Sequence, residues 1–267
     1  MTPQEEHQED QLEAAARLAR RPWPARPIRS QIDVSFEFFP AATPEADERL
    51  WACIEQMAPV APSFVSMTYG AGGSTQERTL SAVDRLTGTH DLPTAGHLTC
   101  VGATAGQVHG VIDRYVEAGV KGIVALRGDA PADGPAIVEG GYGSAIELVE
   151  AIRSRPDTAD LTISVAAYPE THPKAASPQA DLDNLKAKLD AGADQALTQF
   201  FFDTDAFLRF LERARKAGIT APIIPGIMPV TNFARVSNFA RRCGTVIPDW
   251  MPDLFGGLDD APDVRHL

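Results

Sequence analysis

Polar residues recur in this sequence inside or at the ends of apolar, strand-like runs. Glu37 lies among the phenylalanines of DVSFEFF, and His97 lies within the apolar run AGHLTC. An isolated carboxylate is costly to bury, so we expect Glu37 to have either a raised pKa or a partner. A carboxyl group with a raised pKa can act as a general acid near neutral pH. Taken singly, Glu37 could equally be a structural carboxylate paired with Arg127, and His97 a hydrogen-bonded core histidine.

Further candidates follow the same pattern along the chain. They are Thr68, Tyr69, Arg127, Asp129, Tyr168, His172 and Gln199. Arg127 and Asp129 alone could be a surface ion pair at a turn, and Gln199 could cap the backbone of a neighbouring strand. Side chains at the carboxyl ends of parallel strands, however, meet at one rim of a barrel. We therefore interpret the set as one functional cleft.

The motifs restrict the chemistry of this cleft without deciding it. The sequence has no HExxH and no GxSxG motif, and Cys53, Cys100 and Cys243 are too scattered for a disulfide framework or a zinc site, so we expect no metal. The glycine-rich segment 70–73 could let backbone amides approach a phosphate or a planar ligand. Asn184, Lys186 and Lys188 could likewise hold a pyrophosphate, although either lysine alone could belong to a solvated helix face.

The elements that must position these residues form a repeat of about 30 residues, the size of one βα unit. Seven β-rich runs alternate with helix-like segments, and most of the runs are continuously apolar, as in parallel strands covered on both faces. Thr43-Pro44, Thr104-x-x-Gln107 and Ser144-x-x-Glu147 predict helix starts. No GxGxxG motif follows a strand. The pattern favours an α/β fold, a (β/α)8 TIM barrel, over an open doubly wound sheet.

Composition and charge define the class of protein. The formal net charge is -12, which argues against duplex nucleic acid as the main partner, and no apolar stretch is long enough for a membrane helix. The acidic start lacks a signal-peptide pattern, so we expect a cytoplasmic protein. We predict an N-terminal arm over 1–30 and a catalytic barrel over 31–267. Because only seven strands are evident, we expect the eighth to be missing through C-terminal truncation.

A resemblance to a known family emerges from seven collinear runs. They are VSFEFFP, VSMTYGA, HLTC, ALRGD, AAYPETHP, TQFFFD and IPGIMP. Together they resemble bacterial methylenetetrahydrofolate reductase, from about residue 31 onward. The resemblance implies a barrel that binds FAD, accepts a hydride from NADH or NADPH, and passes it to 5,10-methylenetetrahydrofolate to give 5-methyltetrahydrofolate for methionine synthesis. It also implies small-molecule substrates and a homo-oligomer.

The resemblance also implies residue roles. Glu37 would be the general acid, Asp129 would act on both flavin and folate, Gln199 and Phe239 would contact substrate, and Thr68 would contact the nicotinamide cofactor. The remaining cofactor contacts would be Tyr69, Ala71, His97, Arg127, Gly128, Tyr142, Gly143, Tyr168, His172, Ala175, Asp181, Asn184 and Lys188.

The sequence departs from the family pattern at two positions. Arg235 stands where a glutamine often contacts folate, and Ala187 stands where a basic residue often precedes Lys188. An acid/base or metal-dependent barrel lyase that uses Glu37, His97 and Asp129 is the alternative enzyme, and a non-catalytic barrel is a third hypothesis.

Overall fold

The computed structural model describes residues 32–69, 76–129 and 137–260. Within these ranges, seven parallel strands form one sheet in the order of the sequence, each hydrogen-bonded to the next. The strands are β1 Ser35–Phe38, β2 Phe64–Met67, β3 Thr94–Thr99, β4 Gly122–Leu126, β5 Thr162–Ala167, β6 Gln195–Thr198 and β7 Ile223–Ile224.

Helices follow the strands and cover the sheet. They are α1 Pro44–Met57, α2 Gln76–Gly88, α3 Ala105–Glu117, α4 Ala145–Arg153, α5 Pro178–Asp190, α6 Thr204–Lys216, α7 Phe233–Cys243 and α8 Trp250–Phe255. Short 3-10 turns occur at Ala58–Val60, Pro156–Thr158 and Leu258–Asp260.

Local signals explain where the helices begin and end. Thr104 and Gln107 form both halves of the predicted capping box of α3, which satisfies amides that would otherwise lack partners. Ser144 caps α4 by accepting from the Glu147 N–H, but the Glu147 carboxylate accepts from the Ser144 hydroxyl and the N–H of Gly143 rather than from the N–H of Ser144. Helix α3 is followed by Gly119 at φ 75°, a left-handed position that glycine occupies at little cost.

The core lies between the sheet and the helices. Along α3, Val108, Val111, Ile112 and Tyr115 are buried, as the spacing of this apolar stripe predicts. The Tyr115 hydroxyl donates to the main-chain oxygen of His97 at 2.6 Å, so the outer helix is tied directly to β3.

The sequential, all-parallel order confirms the barrel prediction and excludes a doubly wound sheet, in which the strand order reverses. The seven predicted strands are all present, although β7 is only two residues long. The predicted arm over 1–30 and the last seven residues lie outside the described residues. In the part of the chain that the structure describes, no helix is long and apolar enough to cross a membrane.

Candidate active site

A cavity of about 650 Å³ opens beyond the carboxyl ends of β4 and β5, and we call it the β4–β5 cavity. It brings together most of the predicted cofactor residues. It is lined by Ala125, Leu126, Arg127, Gly128, Asp129, Ser144, Ala145, Tyr168, His172, Lys174, Ala175, Ala176, Ala180, Asp181, Asn184 and Lys188. Ligands of barrel enzymes bind at this end of the strands. A cavity of about 420 Å³ at the opposite end is lined by Ser35, Phe64 and Thr162 at the strands' amino ends, away from the predicted site residues.

Lys188 is the buried cation of the β4–β5 cavity. It lies on α5, which Ser177 caps by accepting from the Ala180 N–H, and only 6% of the residue is exposed. Its Nζ donates to the main-chain oxygen of Ala166 on β5 at 2.6 Å. Burial lowers the pKa of Lys188 to about 8, although the nearby Asp181 carboxylate opposes this shift. An ammonium group has three hydrogen-bond donors, so a charged Lys188 that donates to Ala166 can also bind an anionic ligand group.

His172 is held in one tautomer by its own loop. The backbone N–H of Lys174 donates to His172 Nδ1 at 3.0 Å, so Nδ1 is the acceptor and the ring proton is on Nε2. Burial, followed by the neighbouring positive charges of Lys174 and Arg127, lowers the pKa of His172 despite the opposing Asp181 and Asp129 carboxylates. His172 is therefore a neutral hydrogen-bond donor at the cavity wall.

The loop that carries His172 is also anchored to its neighbours. The His172 N–H donates to the Asp181 carboxylate on α5 at 2.9 Å. The His172 ring stands edge-on to Tyr168, with 4.6 Å between the ring centroids. Burial, reinforced by the charges of Asp181 and Asp129, raises the pKa of Tyr168 to about 12, so its hydroxyl stays protonated. The cavity wall thus presents an aromatic pair next to polar groups.

Asp129 pairs with a residue that the sequence analysis did not single out. Lys174 Nζ lies 2.9 Å from Asp129 Oδ1, so the hypothesis of an Arg127–Asp129 ion pair is wrong. The hydrogen bond from Lys174 and the positive charges of Lys174 and Arg127 outweigh desolvation and lower the pKa of Asp129. Both side chains of the pair are largely exposed, so salt will screen it. Lys174 directly follows His172-Pro173 in the sequence, and this proximity to a predicted site residue is the signal that could have identified it.

Gly128 permits the sharp turn between Arg127 and Asp129. Its φ is +85°, and a Cβ there would lie 2.9 Å from the Cβ of Thr99. A larger residue would therefore be strained and would push the β4 loop away from β3. The glycine sets the positions of the charged residues on either side of it.

Glu37 has His97 as its partner. His97 Nε2 and Glu37 Oε2 are 3.3 Å apart, but the pair lacks hydrogen-bond alignment, and His97 Nε2 is a buried nitrogen with no aligned partner. The two residues lie on β1 and β3, alternate strands whose inward side chains share a layer inside a barrel. The hypothesis that Glu37 pairs with Arg127 is wrong: Glu37 on β1 meets His97 on β3, two strands away, whereas Arg127 follows β4.

The environment of Glu37 is more polar than its sequence neighbours suggest. Half of its side chain is exposed. Desolvation raises the pKa of Glu37, but the interaction with His97 and its charge outweighs this effect, so the net pKa is lowered. Of the two expectations for Glu37, a raised pKa or a partner, the structure confirms the partner, and that partner is what lowers the pKa in the ligand-free protein.

An aromatic surface accompanies the predicted substrate residues. Phe239 on α7 stacks on Phe200 with 5.5 Å between centroids and stands edge-on to Phe39 at 6.4 Å. Phe39 is 58% exposed, so part of its ring is open to a ligand. Gln199 lies beside this group, and its side-chain oxygen accepts from the N–H of Phe200 at 3.1 Å. These rings offer flat apolar faces to a planar ligand.

The other predicted cofactor residues do not line the β4–β5 cavity. Tyr142 hydrogen-bonds to His109, and Gly143 donates to Glu147. Thr68 and Tyr69 follow β2, and burial together with Glu77 raises the pKa of Tyr69 to about 12. His97 pairs with Glu37 instead, and Ala71 lies outside the described residues.

Two further residues test expectations from the sequence: Arg235 departs from the family pattern, and Lys186 was either a pyrophosphate ligand or part of a solvated helix face. Arg235 is exposed at the start of α7. Lys186 forms an ion pair with Asp190 on the surface of α5, which fits a solvated helix face. Among residues 32–69, 76–129 and 137–260, no three His, Cys, Asp or Glu side chains are grouped as metal ligands.

Comparison with known proteins identifies the family. The family described as methylenetetrahydrofolate reductase matches residues 25–266. A 5,10-methylenetetrahydrofolate reductase of Pectobacterium carotovorum is 44% identical over 242 residues, which cover 90% of this chain and 78% of that protein. The Escherichia coli protein of the same name is 45% identical over 244 residues, covering 90% of this chain and 79% of its own length. A methylenetetrahydrofolate reductase (NADH) 1 from Zea mays is 38% identical and is covered over 40% of its length.

The fold is that of a parallel βα barrel with its polar residues at the carboxyl ends of the strands. Given the extent of the match and the identity over 90% of the chain, this protein belongs to the methylenetetrahydrofolate reductase family. Membership confirms the resemblance and supports an oxidoreductase that acts on methylenetetrahydrofolate. It favours the reductase over the lyase hypothesis.

Proposed function

We propose that this protein is an FAD-dependent, NAD(P)H-consuming reductase that converts 5,10-methylenetetrahydrofolate to 5-methyltetrahydrofolate for methionine synthesis. The observation that carries the proposal is the β4–β5 cavity, which gathers nine of the residues assigned to the cofactor. Its volume of about 650 Å³ lies within the usual range of ligand sites. A homo-oligomeric state and a cytoplasmic location remain expectations of this proposal.

The chemistry of the cavity fits a flavin dinucleotide. Arg127 and Lys188 supply positive charge for a pyrophosphate, and the side chains of Asp181 and Asn184 supply polar groups for hydroxyls. His172 adds a directed N–H donor because its Nδ1 is already engaged. When bound, the flavin would supply a two-electron carrier between the nicotinamide and the folate. The protein's part is to bind, orient and exclude water.

Glu37 would provide the proton for the folate step. Opening the five-membered ring of the substrate breaks the bond between the methylene carbon and N10, and the electron pair left on N10 takes a proton. The iminium carbon then accepts the hydride and becomes the methyl group. Because Glu37 is half exposed, a folate that covers it removes it from water and so raises its pKa. Such a shift would make Glu37 a suitable acid only when the substrate is present.

Two other groups would position the folate. The Asp129 carboxylate, kept ionised by its lowered pKa, would stabilise positive charge on the iminium. The Phe39–Phe239–Phe200 group would accept either the nicotinamide or the pterin ring on an apolar face. One surface used by both ligands in turn would suit an enzyme whose hydride donor and hydride acceptor react one after the other.

The test is an anaerobic stopped-flow experiment on the protein loaded with FAD. NADH or NADPH should bleach the flavin absorbance, and methylenetetrahydrofolate should restore it. The Glu37→Gln variant should bleach with little change but lose most of the reoxidation rate, because only the folate step needs its proton. Glu212→Gln, on the exposed face of α6, is the matched control and should behave as wild type.

Two outcomes would contradict the proposal. Failure of the purified protein to take up FAD would refute the assigned cofactor. Equal losses of both half-reactions in Glu37→Gln would refute the proton-donor role, since a general acid for folate has no part in hydride transfer from the nicotinamide.

A further inference from the structure

A partly buried carboxylate, that of Glu170, lies in the β5–α5 loop between two residues of the cavity wall. Tyr168 and His172 line the β4–β5 cavity, whereas Glu170 does not. The Glu170 carboxylate instead accepts a hydrogen bond from the main-chain N–H of Val246, just after α7, at 3.1 Å. This contact joins two segments that are 76 residues apart in the sequence, and the proposed function gives it no role.

The segment that carries Val246 is itself held in place. Thr245 is buried, and its hydroxyl donates to the main-chain oxygen of Phe200 at 3.1 Å. Gly244, at φ +74°, packs so closely on the β5–α5 loop that a Cβ there would lie 2.4 Å from Cγ of Pro173. The Val246 N–H therefore belongs to a backbone that is fixed against both β6 and the β5–α5 loop, and it can serve as an anchor.

The residue after Glu170 has a backbone conformation that its side chain disfavours. Thr171 has φ +76°, and a β-branched residue occupies this left-handed region only where its surroundings impose it. On the side of Glu170, the anchor is the Val246 N–H. On the other side, the N–H of His172 donates to the Asp181 carboxylate at 2.9 Å. Release of either anchor would let Thr171 relax and would turn His172 away from its present position.

We propose that Glu170 is a positioning residue for the β4–β5 cavity. Its bond to the Val246 N–H holds Thr171 in the left-handed conformation. That conformation keeps the His172 ring edge-on to Tyr168 at the cavity wall. The proposal rests on the proposed function for its ligand, FAD, but the anchor is independent of any ligand.

The anchor is tested without any ligand, by hydrogen exchange of the backbone amides followed by NMR. In Glu170→Ala, the Val246 amide should exchange about tenfold faster than in the wild-type protein, because it loses a hydrogen bond to a carboxylate. Glu170→Gln, whose side-chain oxygen can still accept this bond, should retain most of the protection. Equal exchange of the Val246 amide in all three proteins would overturn the proposal.

The positioning role is tested by FAD binding to the apoprotein. Glu170→Ala should weaken FAD binding about tenfold because the cavity wall is no longer held, and Glu170→Gln should recover most of this loss. Adding Thr171→Gly to Glu170→Ala should also restore binding, because glycine adopts the left-handed conformation without an anchor. A loss of global stability alone would not change the affinity of the folded protein. Glu212→Ala, on the exposed face of α6, is the matched control and should bind FAD as wild type does.

The outcomes separate this proposal from the proposed function. Wild-type affinity in Glu170→Ala, no recovery in Glu170→Gln, or no rescue by Thr171→Gly would each overturn the positioning role. Absence of FAD binding in the wild-type protein would refute the proposed function, while exchange of the Val246 amide would still decide whether the anchor exists. If Glu170→Ala does not fold, Thr171→Gly alone decides: relief of the disfavoured turn should raise its urea midpoint, and a lower midpoint would overturn the proposal.

Discussion

Lys188 should make FAD binding weaken as the pH rises through about 8. Only the pH is changed, and the group that responds is the buried ammonium of Lys188, which donates to the Ala166 carbonyl at 2.6 Å. Burial lowers its pKa from 10.5 to about 8, with Asp181 opposing the shift. In the proposed complex the pyrophosphate attracts the protonated form, so deprotonation of Lys188 removes a charge-assisted hydrogen bond.

The size of the effect follows from the titration. A group with a pKa of about 8 is about nine-tenths protonated at pH 7 and only about 3% protonated at pH 9.5. If the ligand binds only the protonated form, its affinity should fall about 30-fold over this range. The slope should approach a tenfold loss per pH unit above pH 8.

The assay is quenching of FAD fluorescence by the apoprotein at constant ionic strength. Lys188→Met should bind FAD weakly and with little dependence on pH over this range. Lys186→Met is the matched control on the same helix, because Lys186 is paired with Asp190 at 2.8 Å, and it should retain the wild-type pH dependence. A wild-type affinity independent of pH, or wild-type affinity in Lys188→Met at pH 7, would refute the reasoning.

The lowered pKa of Lys188 should affect folding in the opposite direction: the stability of the ligand-free protein should rise with pH. Its folded-state pKa lies below the unfolded value, so the unfolded chain binds more protons between pH 8 and 10.5. The cost of the buried charge is present in full below pH 8 and is relieved as the pH rises, by at most about 3 kcal/mol. The free energy of unfolding in urea should therefore rise with pH for the wild-type protein relative to Lys188→Met. A fall in this difference as the pH rises would contradict the prediction.

Two further substitutions test the site and the sheet. His97→Leu should raise the pKa of Glu37 above its ordinary value, because desolvation then acts without the opposing histidine; ¹³C NMR titration of the carboxyl group measures this, and an unchanged pKa would contradict the pairing. Gly226→Ala should destabilise the protein by about 1–3 kcal/mol, because the added Cβ would lie 2.4 Å from the main-chain oxygen of Thr198. Gly88→Ala, with no atom within 4 Å, is its control, and equal urea midpoints for the two variants would refute the close approach.

Local patterns in the sequence were sufficient to predict the elements. The apolar runs, the capping residues such as Thr104 and the glycines after helices depend only on near neighbours in the chain, and the structure has the strands and helix starts they predict. The residue types of the cleft were also predictable, because polar groups inside apolar runs are costly without a purpose. The family could be named from the collinear runs, and the comparisons confirm it.

Only the tertiary structure decided which charged groups meet. Glu37 pairs with His97 and Asp129 with Lys174, whereas the sequence had suggested Arg127 in both cases. These contacts depend on strand register, on the curvature of the sheet and on the path of the β5–α5 loop, none of which leaves a periodic signal. The direction of the Glu37 pKa shift had the same cause, because His97, which lowers this pKa against the opposing effect of burial, is adjacent to Glu37 only in the folded chain.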